Sequence, residues 1–226
     1  MLQLIVKKNL YFWLLVFLLL FTTFNIKNFN INFFFKIKKV ELNTTKFLDE
    51  STKSKLIDFM LKKNLFLIDK YEIEKMLYKN NWVKKVDLKK KYPNTIIVNI
   101  SEYFPIAYYE NNKKFYIINS SFRSLINTNN IDTIGLIKLE NIKNLKNFEE
   151  LYKIIHSKFH FFSEIKKLTH VYGNRWDILL KNQTIIKLGN YNLEEQITNS
   201  NLFLSKKNIK TLDFRIQKRM VISYDK

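Results

Sequence analysis

Residues 80–109, "NNWVKKVDLKKKYPNTIIVNISEYFPIAYY", decide how this chain folds. Val86 and Leu88 point one way and Asp87 and Lys89 the other, the period-two pattern of a half-buried strand. After Tyr92-Pro93-Asn94, Ile96, Val98 and Ile100 alternate with Thr95, Asn99 and Ser101. Pro93 fixes φ and has no N–H for a central ladder, so the two strands meet at a turn there. A second proline, Pro105, follows and leads into aromatic residues.

Upstream, Ile37–Leu42 ("IKKVEL") has the pattern of a strand, and Asn43 tolerates the left-handed backbone of a turn. Asp49 or Ser51 can cap a helix in which Leu56, Phe59, Met60 and Lys63 recur at helical spacing. Ile73, Met76 and Leu77 predict a second short helix opened by Asp69. The order strand, helix, helix, strand, strand defines a small α+β unit with both helices on one face of a sheet.

Composition narrows the function classes. The formal charge is +19, but 35 of the 39 basic residues are Lys and only Arg123, Arg175, Arg215 and Arg219 are Arg. Phosphate and base recognition favour the planar guanidinium fork, and the lysines are spread along the whole chain, so nucleic acid is not the expected partner. Without cysteine there is no disulfide framework, thiol nucleophile or thiolate metal site. With three glycines in all, a phosphate-cradling loop has no material.

Leu10–Phe21, "LYFWLLVFLLLF", is an unbroken apolar run. Limits at residues 9–26 give about the length a membrane helix needs, with residues 1–8 as a short tail and 27–35 as an Asn-rich tether. A cleaved signal peptide and a retained anchor compete. The anchor is favoured because "TTFNIKNFN" offers no Ala, Gly or Ser for cleavage. Leu10, Trp13, Leu15, Phe17, Leu19 and Phe21 are its expected lipid-facing residues. Lys7 and Lys8 keep the tail cytoplasmic, which places the rest of the chain across the membrane.

Downstream of residue 105, "AYYE", "KKFYIIN" and "FRSLI" predict short strands separated by Asn-rich turns. Phe148–Phe159 has helical period. Trp176–Leu180 and Thr184–Leu188 predict a hairpin, "NLEEQITNSNLFLSKK" a helix, and "IKTLDFRIQKRMVISY" a last strand pair. The expectation is a β-rich domain over 105–226, with helices packed on an open antiparallel sheet.

The module at 36–104 resembles a POTRA domain, and the linear pattern resembles the FtsQ/DivIB family of bacterial cell division proteins. The matching residues are "FKIKKVELN", "NLFLID", the Trp82-Val83 pair, the Tyr92-Pro93 turn and the Glu102–Ala107 segment. Further on they are the Trp176 hairpin ending at Gly189, and Asp213-Phe214-Arg215. Turn glycines of the family are replaced here by Asn43 and by Gln217-Lys218-Arg219, and Asn81 stands where the family has proline. The resemblance implies a single-pass inner-membrane protein, its bulk periplasmic, that works at the division septum without catalysis or cofactor and binds the bitopic partners FtsB and FtsL.

The last strand sharpens that implication. "MVISY" is uncharged and β-prone, the profile of an edge left open for strand addition. By resemblance the partner site is Arg215, Lys218, Arg219, Met220, Val221, Ile222, Ser223 and Tyr224, with Arg215 available to a partner's acidic group. A plain closing strand is the competing reading. His156 and His160 have i, i+4 metal-ligand spacing, but "HSKFH" lacks the glutamate of a zinc-hydrolase motif and no further ligand cluster accompanies it. Trp82 and Trp176 are expected in the core. The triplets at Asn43, Asn99, Asn119 and Asn182 match a glycosylation pattern that so Asn-rich a chain produces by chance. Two other readings remain: a POTRA-bearing export component, which would need a barrel or repeated modules, and a membrane-anchored cell-wall enzyme, which would need a carboxylate or metal cluster.

Overall fold

The structure, a computed structural model, describes residues 11–20, 35–43, 45–127, 131–142, 144–206 and 208–224. Two compact units form. In the first, β1 (Lys39–Asn43) lies parallel to β3 (Thr95–Glu102), and β2 (Val83–Lys91) completes a three-stranded sheet of order β1-β3-β2. Helices α1 (Glu50–Leu61) and α2 (Lys70–Leu77) intervene between β1 and β2, as the sequence predicts. Asp69 accepts the Tyr71 N–H at 2.9 Å at the start of α2. Leu56, Met60, Ile73, Val86, Ile96, Val98 and Ile100 are buried, so the period-two and helical patterns both resolve onto one core. Leu88 is only half-buried, because the inward residues of β2 are Val83 and Val86, three apart.

The two units interleave along the chain. Residues 45–49, 77–85 and 101–104 belong with the second unit. The cause is a local clasp. The Glu102 carboxylate accepts the N–H groups of Lys46, Phe47 and Leu48 at 2.7–3.2 Å, and Phe47 stacks on Trp82 with ring centroids 4.9 Å apart. Asn119, fully buried, donates from Nδ2 to the Asn81 carbonyl and accepts the Ser121 and Arg123 N–H groups on Oδ1. Its glycosylation-like triplet is thus structural. Glu102→Ala should cost about 2 kcal/mol, since three backbone donors lose a charged acceptor. Urea unfolding followed by tryptophan emission measures this, because Trp82 reports the loss of the Phe47 stack.

The second unit is built on a nine-stranded sheet of order β12-β11-β10-β9-β8-β7-β4-β5-β6. Its strands are β4 (Pro105–Asn111), β5 (Lys114–Asn119), β6 (Ser124–Ile126), β7 (Ile137–Glu140), β8 (Ile165–Val171), β9 (Arg175–Leu180), β10 (Ile185–Lys187), β11 (Ile209–Asp213) and β12 (Val221–Tyr224). The sheet is mixed, which corrects the antiparallel expectation: β4–β7, β7–β8 and β10–β11 are parallel. Helices α3 (Leu145–Lys158) and α4 (Leu193–Leu204) cause two of these. Each carries the chain from one strand to the next, and a helical crossover returns the chain parallel. Phe148, Leu151 and Ile155 of α3 and Ile197 of α4 join the core with Trp176, Ile178, Leu180, Ile186 and Leu212.

Residues 11–20 are helical. Trp13, Leu15, Phe17 and Leu19 each expose more than half their surface, while Leu10 and Phe21 lie outside the described residues. Among the described residues no helix is long and apolar enough to cross a membrane.

Candidate functional site

β12 is one edge of the large sheet, paired on its inner side with β11 in the register Asp213↔Val221, Leu212↔Ile222 and Thr211↔Ser223. Met220 and Ile222 are half-buried against the core, while Val221, Ser223 and Tyr224 are exposed. Met220 and Ile222 thus fix the register against the core, and Val221 and Ser223 alternate with them on the opposite face. It carries no charge over its four residues. Among the described residues no strand pairs with its outer side, and an uncharged open edge is what proteins ordinarily avoid.

Three residues that sequence reasoning did not single out as a group hold the approach to this strand. Gly189 donates its N–H to the buried Gln196 Oε1 at 2.8 Å, and the Gln196 amide in turn donates to the Tyr191 carbonyl. The Tyr191 hydroxyl has one proton and two carbonyls within reach, Phe214 at 2.6 Å and Ile216 at 2.9 Å. The clasp ties the segment leaving β11 to the N-terminal turn of α4. Gly189 must be glycine, because a Cβ there would lie 2.9 Å from the Phe214 carbonyl oxygen and 2.5 Å from the Tyr191 ring. The sequence signal for it was the scarcity of glycine itself: a chain with three has little reason to spend one without need.

The turn between β11 and β12 holds Lys218 at φ 61, in the left-handed region. A non-glycine residue there carries the conformational cost that glycine would not. Lys218→Gly should stabilise the protein by about 0.5–1 kcal/mol, the relief of left-handed strain less the entropy glycine adds to the unfolded chain. Thermal unfolding of the two proteins side by side checks it. A cleft of about 330 Å³ opens beside this turn, lined by Asn192, Asn199 and Phe203 on the α4 side and by Gln217, Lys218 and Met220 on the other.

Arg215 has a partner within its own segment. Its guanidinium is folded onto its own neighbour, Nε donating to both Asp213 oxygens at 2.9 Å and an Nη to Oδ2 at 2.5 Å. A partner's carboxylate would have to compete with Asp213 for it. The ion pair and the Arg215 N–H on Oδ1 hold the Asp213 carboxyl below its usual value near 3.8. The folded form is the one with the lower value, so this pair stabilises at pH above about 4 and is lost as the pH falls through the lowered value. Asp213→Asn should therefore lower stability at pH 7 and reduce the acid dependence of unfolding below about pH 4, readable by urea titration at pH 7 and at successively lower pH.

Asp213 also belongs to a rung of alternating charge, Asp177–Lys187–Asp213, on three adjacent strands. Burial pushes the Asp177 carboxyl upward despite Lys187, Arg215 and Arg175 around it. His156 is exposed and stacks on Tyr152, and among the described residues no three of His, Asp and Glu converge as metal ligands. Trp82 and Trp176 are buried, as expected.

With this geometry in hand, comparison with known proteins is specific. Residues 35–103 match the POTRA domain of FtsQ type, and residues 107–215 match the C-terminal domain of the cell division proteins FtsQ and DivIB. The class is a POTRA-bearing cell division protein. The chain belongs to the FtsQ/DivIB family. It is 28% identical to the cell division protein DivIB of Clostridium tetani over 46% of this chain and 40% of that one. It is 24% identical to the cell division protein FtsQ of Rickettsia conorii over 89% of this chain and 77% of that one. The extracytoplasmic domain of DivIB from Geobacillus stearothermophilus aligns over 47% of this chain and 99% of that chain, at 12% identity and a TM-score of 0.34, too low to establish a shared fold. The C-terminal match ends at Arg215, ahead of the turn and β12.

Proposed function

We propose that the protein is a non-catalytic scaffold of the bacterial division machinery, anchored in the inner membrane by residues 9–26 with its folded units on the periplasmic side. It binds bitopic division proteins of the FtsB and FtsL kind by strand addition along β12 and so links early and late steps of septum assembly. The observation that carries this reading is the uncharged edge of β12, with Val221, Ser223 and Tyr224 exposed. Backbone pairing supplies affinity, and the exposed side chains with the adjacent cleft supply specificity. Lys218 and Arg219, exposed beside the strand, attract an acidic segment and speed its arrival. Arg215 contributes only if the partner's acid displaces Asp213. Family membership supports a division role, and no site in the described residues favours the cell-wall enzyme reading.

The test is the affinity of the full chain, in detergent, for the extracytoplasmic segment of FtsB from the same organism. Saturable binding that survives about 0.5 M salt supports strand pairing; binding abolished by that salt would reduce the contact to surface charge.

A further inference from the structure

The first unit carries a second surface, unrelated to β12. Phe35, Phe66 and Tyr92 form an aromatic triangle, with ring centroids 4.6 Å apart for Phe35–Phe66, 5.2 Å for Phe66–Tyr92 and 6.3 Å for Phe35–Tyr92. Its rim is open: Phe66 is 51% exposed, Leu67 67% and Tyr92 54%. This exposure is imposed by the backbone. Leu65 and Ile68 are buried, the Leu65 N–H donates to the Phe35 carbonyl at 2.7 Å, and the Ile68 N–H donates to the Asn64 carbonyl at 2.9 Å. Asn64 Oδ1 also accepts the Phe66 N–H at 2.8 Å. With both flanks pinned, Phe66 and Leu67 have nowhere to turn but outward.

Lysines stand beside the triangle's residues along the chain. Lys36 follows Phe35, Lys91 precedes Tyr92, and both are exposed; Lys90 Nζ donates to the Phe66 carbonyl at 3.2 Å. Of the acids on the same stretch, Glu72 is paired with Lys63 at 2.8 Å and Asp69 accepts the Tyr71 N–H. Exposed aromatic rings with exposed lysines next to them in the chain match the headgroup layer of an anionic bilayer, where the rings sit at the apolar boundary and the cations at the phosphates.

The chain's own course supplies the membrane. On the anchor reading proposed above, on which this inference rests, nine residue steps separate residue 26 from Phe35. They reach at most about 30 Å when fully extended. We infer that the Phe35–Phe66–Leu67–Tyr92 surface docks on anionic lipid of the membrane in which the chain is anchored, so that the POTRA unit lies against the bilayer rather than standing free of it.

The absence of cysteine makes a direct test available. Leu67→Cys and, as a control in the other unit, Tyr172→Cys (Tyr172 is 91% exposed) are labelled with bimane in the full chain. The labelled proteins are reconstituted in phosphatidylglycerol vesicles containing lipid spin-labelled near the headgroup. Quenching at position 67 is expected to exceed that at 172 at least threefold, and to fall towards the control in phosphatidylcholine or when Lys36→Glu and Lys91→Glu are added. Equal quenching at the two positions in phosphatidylglycerol overturns the docking. Alkaline extraction of the same vesicles tests the anchor separately. A chain retained in the bilayer with position 67 unquenched removes the docking alone; a chain extracted by alkali but quenched at 67 beforehand removes the anchor and keeps the docking.

Discussion

Val221→Pro and Ile222→Pro, made one at a time, are expected to behave oppositely. Neighbouring residues of a strand direct their N–H groups to opposite edges, so one of the two prolines removes a donor facing β11 and the other a donor facing outward. The first loosens the β11–β12 pair and lowers stability by about 1–2 kcal/mol, the worth of a ladder bond and the accompanying misfit. The second leaves the fold intact and weakens the partner about 30-fold or more, because an added strand loses a bond and meets the proline ring at its centre. Thermal unfolding and FtsB titration on both variants separate the two effects. If neither variant weakens binding, strand addition at β12 is wrong, whatever the family.

Gly189→Ala has the other large effect. A Cβ placed 2.9 Å from the Phe214 carbonyl meets backbone that cannot give way without moving the segment from β11 to the turn. Overpacking of this kind costs about 2–3 kcal/mol. The damage should extend beyond stability. The Gly189–Gln196 and Tyr191–Phe214 bonds orient the strand pair, so the variant should also bind FtsB more weakly than its stability loss explains. Tyr191→Phe provides the graded comparison, removing the hydroxyl without the clash. Calorimetry at a temperature where all variants are fully folded isolates the binding component. A Gly189→Ala protein as stable as the parent would mean that Gly189 is not a packing requirement.

The first unit was legible from the sequence because its signals are local. Pro93 marks the β2–β3 turn, Ile96, Val98 and Ile100 alternate strictly in a strand buried on one face, and Asp69 caps a short helix. The second unit was legible in its elements but not in its topology. β7 and β8 were missed: "IKLE" is too short to show a period, and the "KK" within "IKKLTHV" obscures the inward set Ile165, Leu168 and His170. The parallel pairings could have been inferred from the two helices, since each separates strands that lie side by side.

The site was half legible. The uncharged run at Val221–Tyr224 gave away the edge, and Lys218 could be suspected from the missing turn glycine. The engagement of Arg215 by Asp213 could not be read, because residues two apart on an extended strand share a face only if the strand continues past Asp213, and it stops there. Nor could the exposure of Phe66 and Leu67, which in "NLFLID" look like any other apolar run until the bonds at Asn64 and Leu65 turn two of them outward.

Amide hydrogen exchange of the full chain, with and without the FtsB segment at saturation, tests the central claim most directly. The account predicts slowing of at least tenfold at alternate amides of residues 221–224, the outward donors of an edge that has acquired a neighbour. Saturated binding with exchange at 221–224 unchanged, and protection appearing elsewhere, would contradict it.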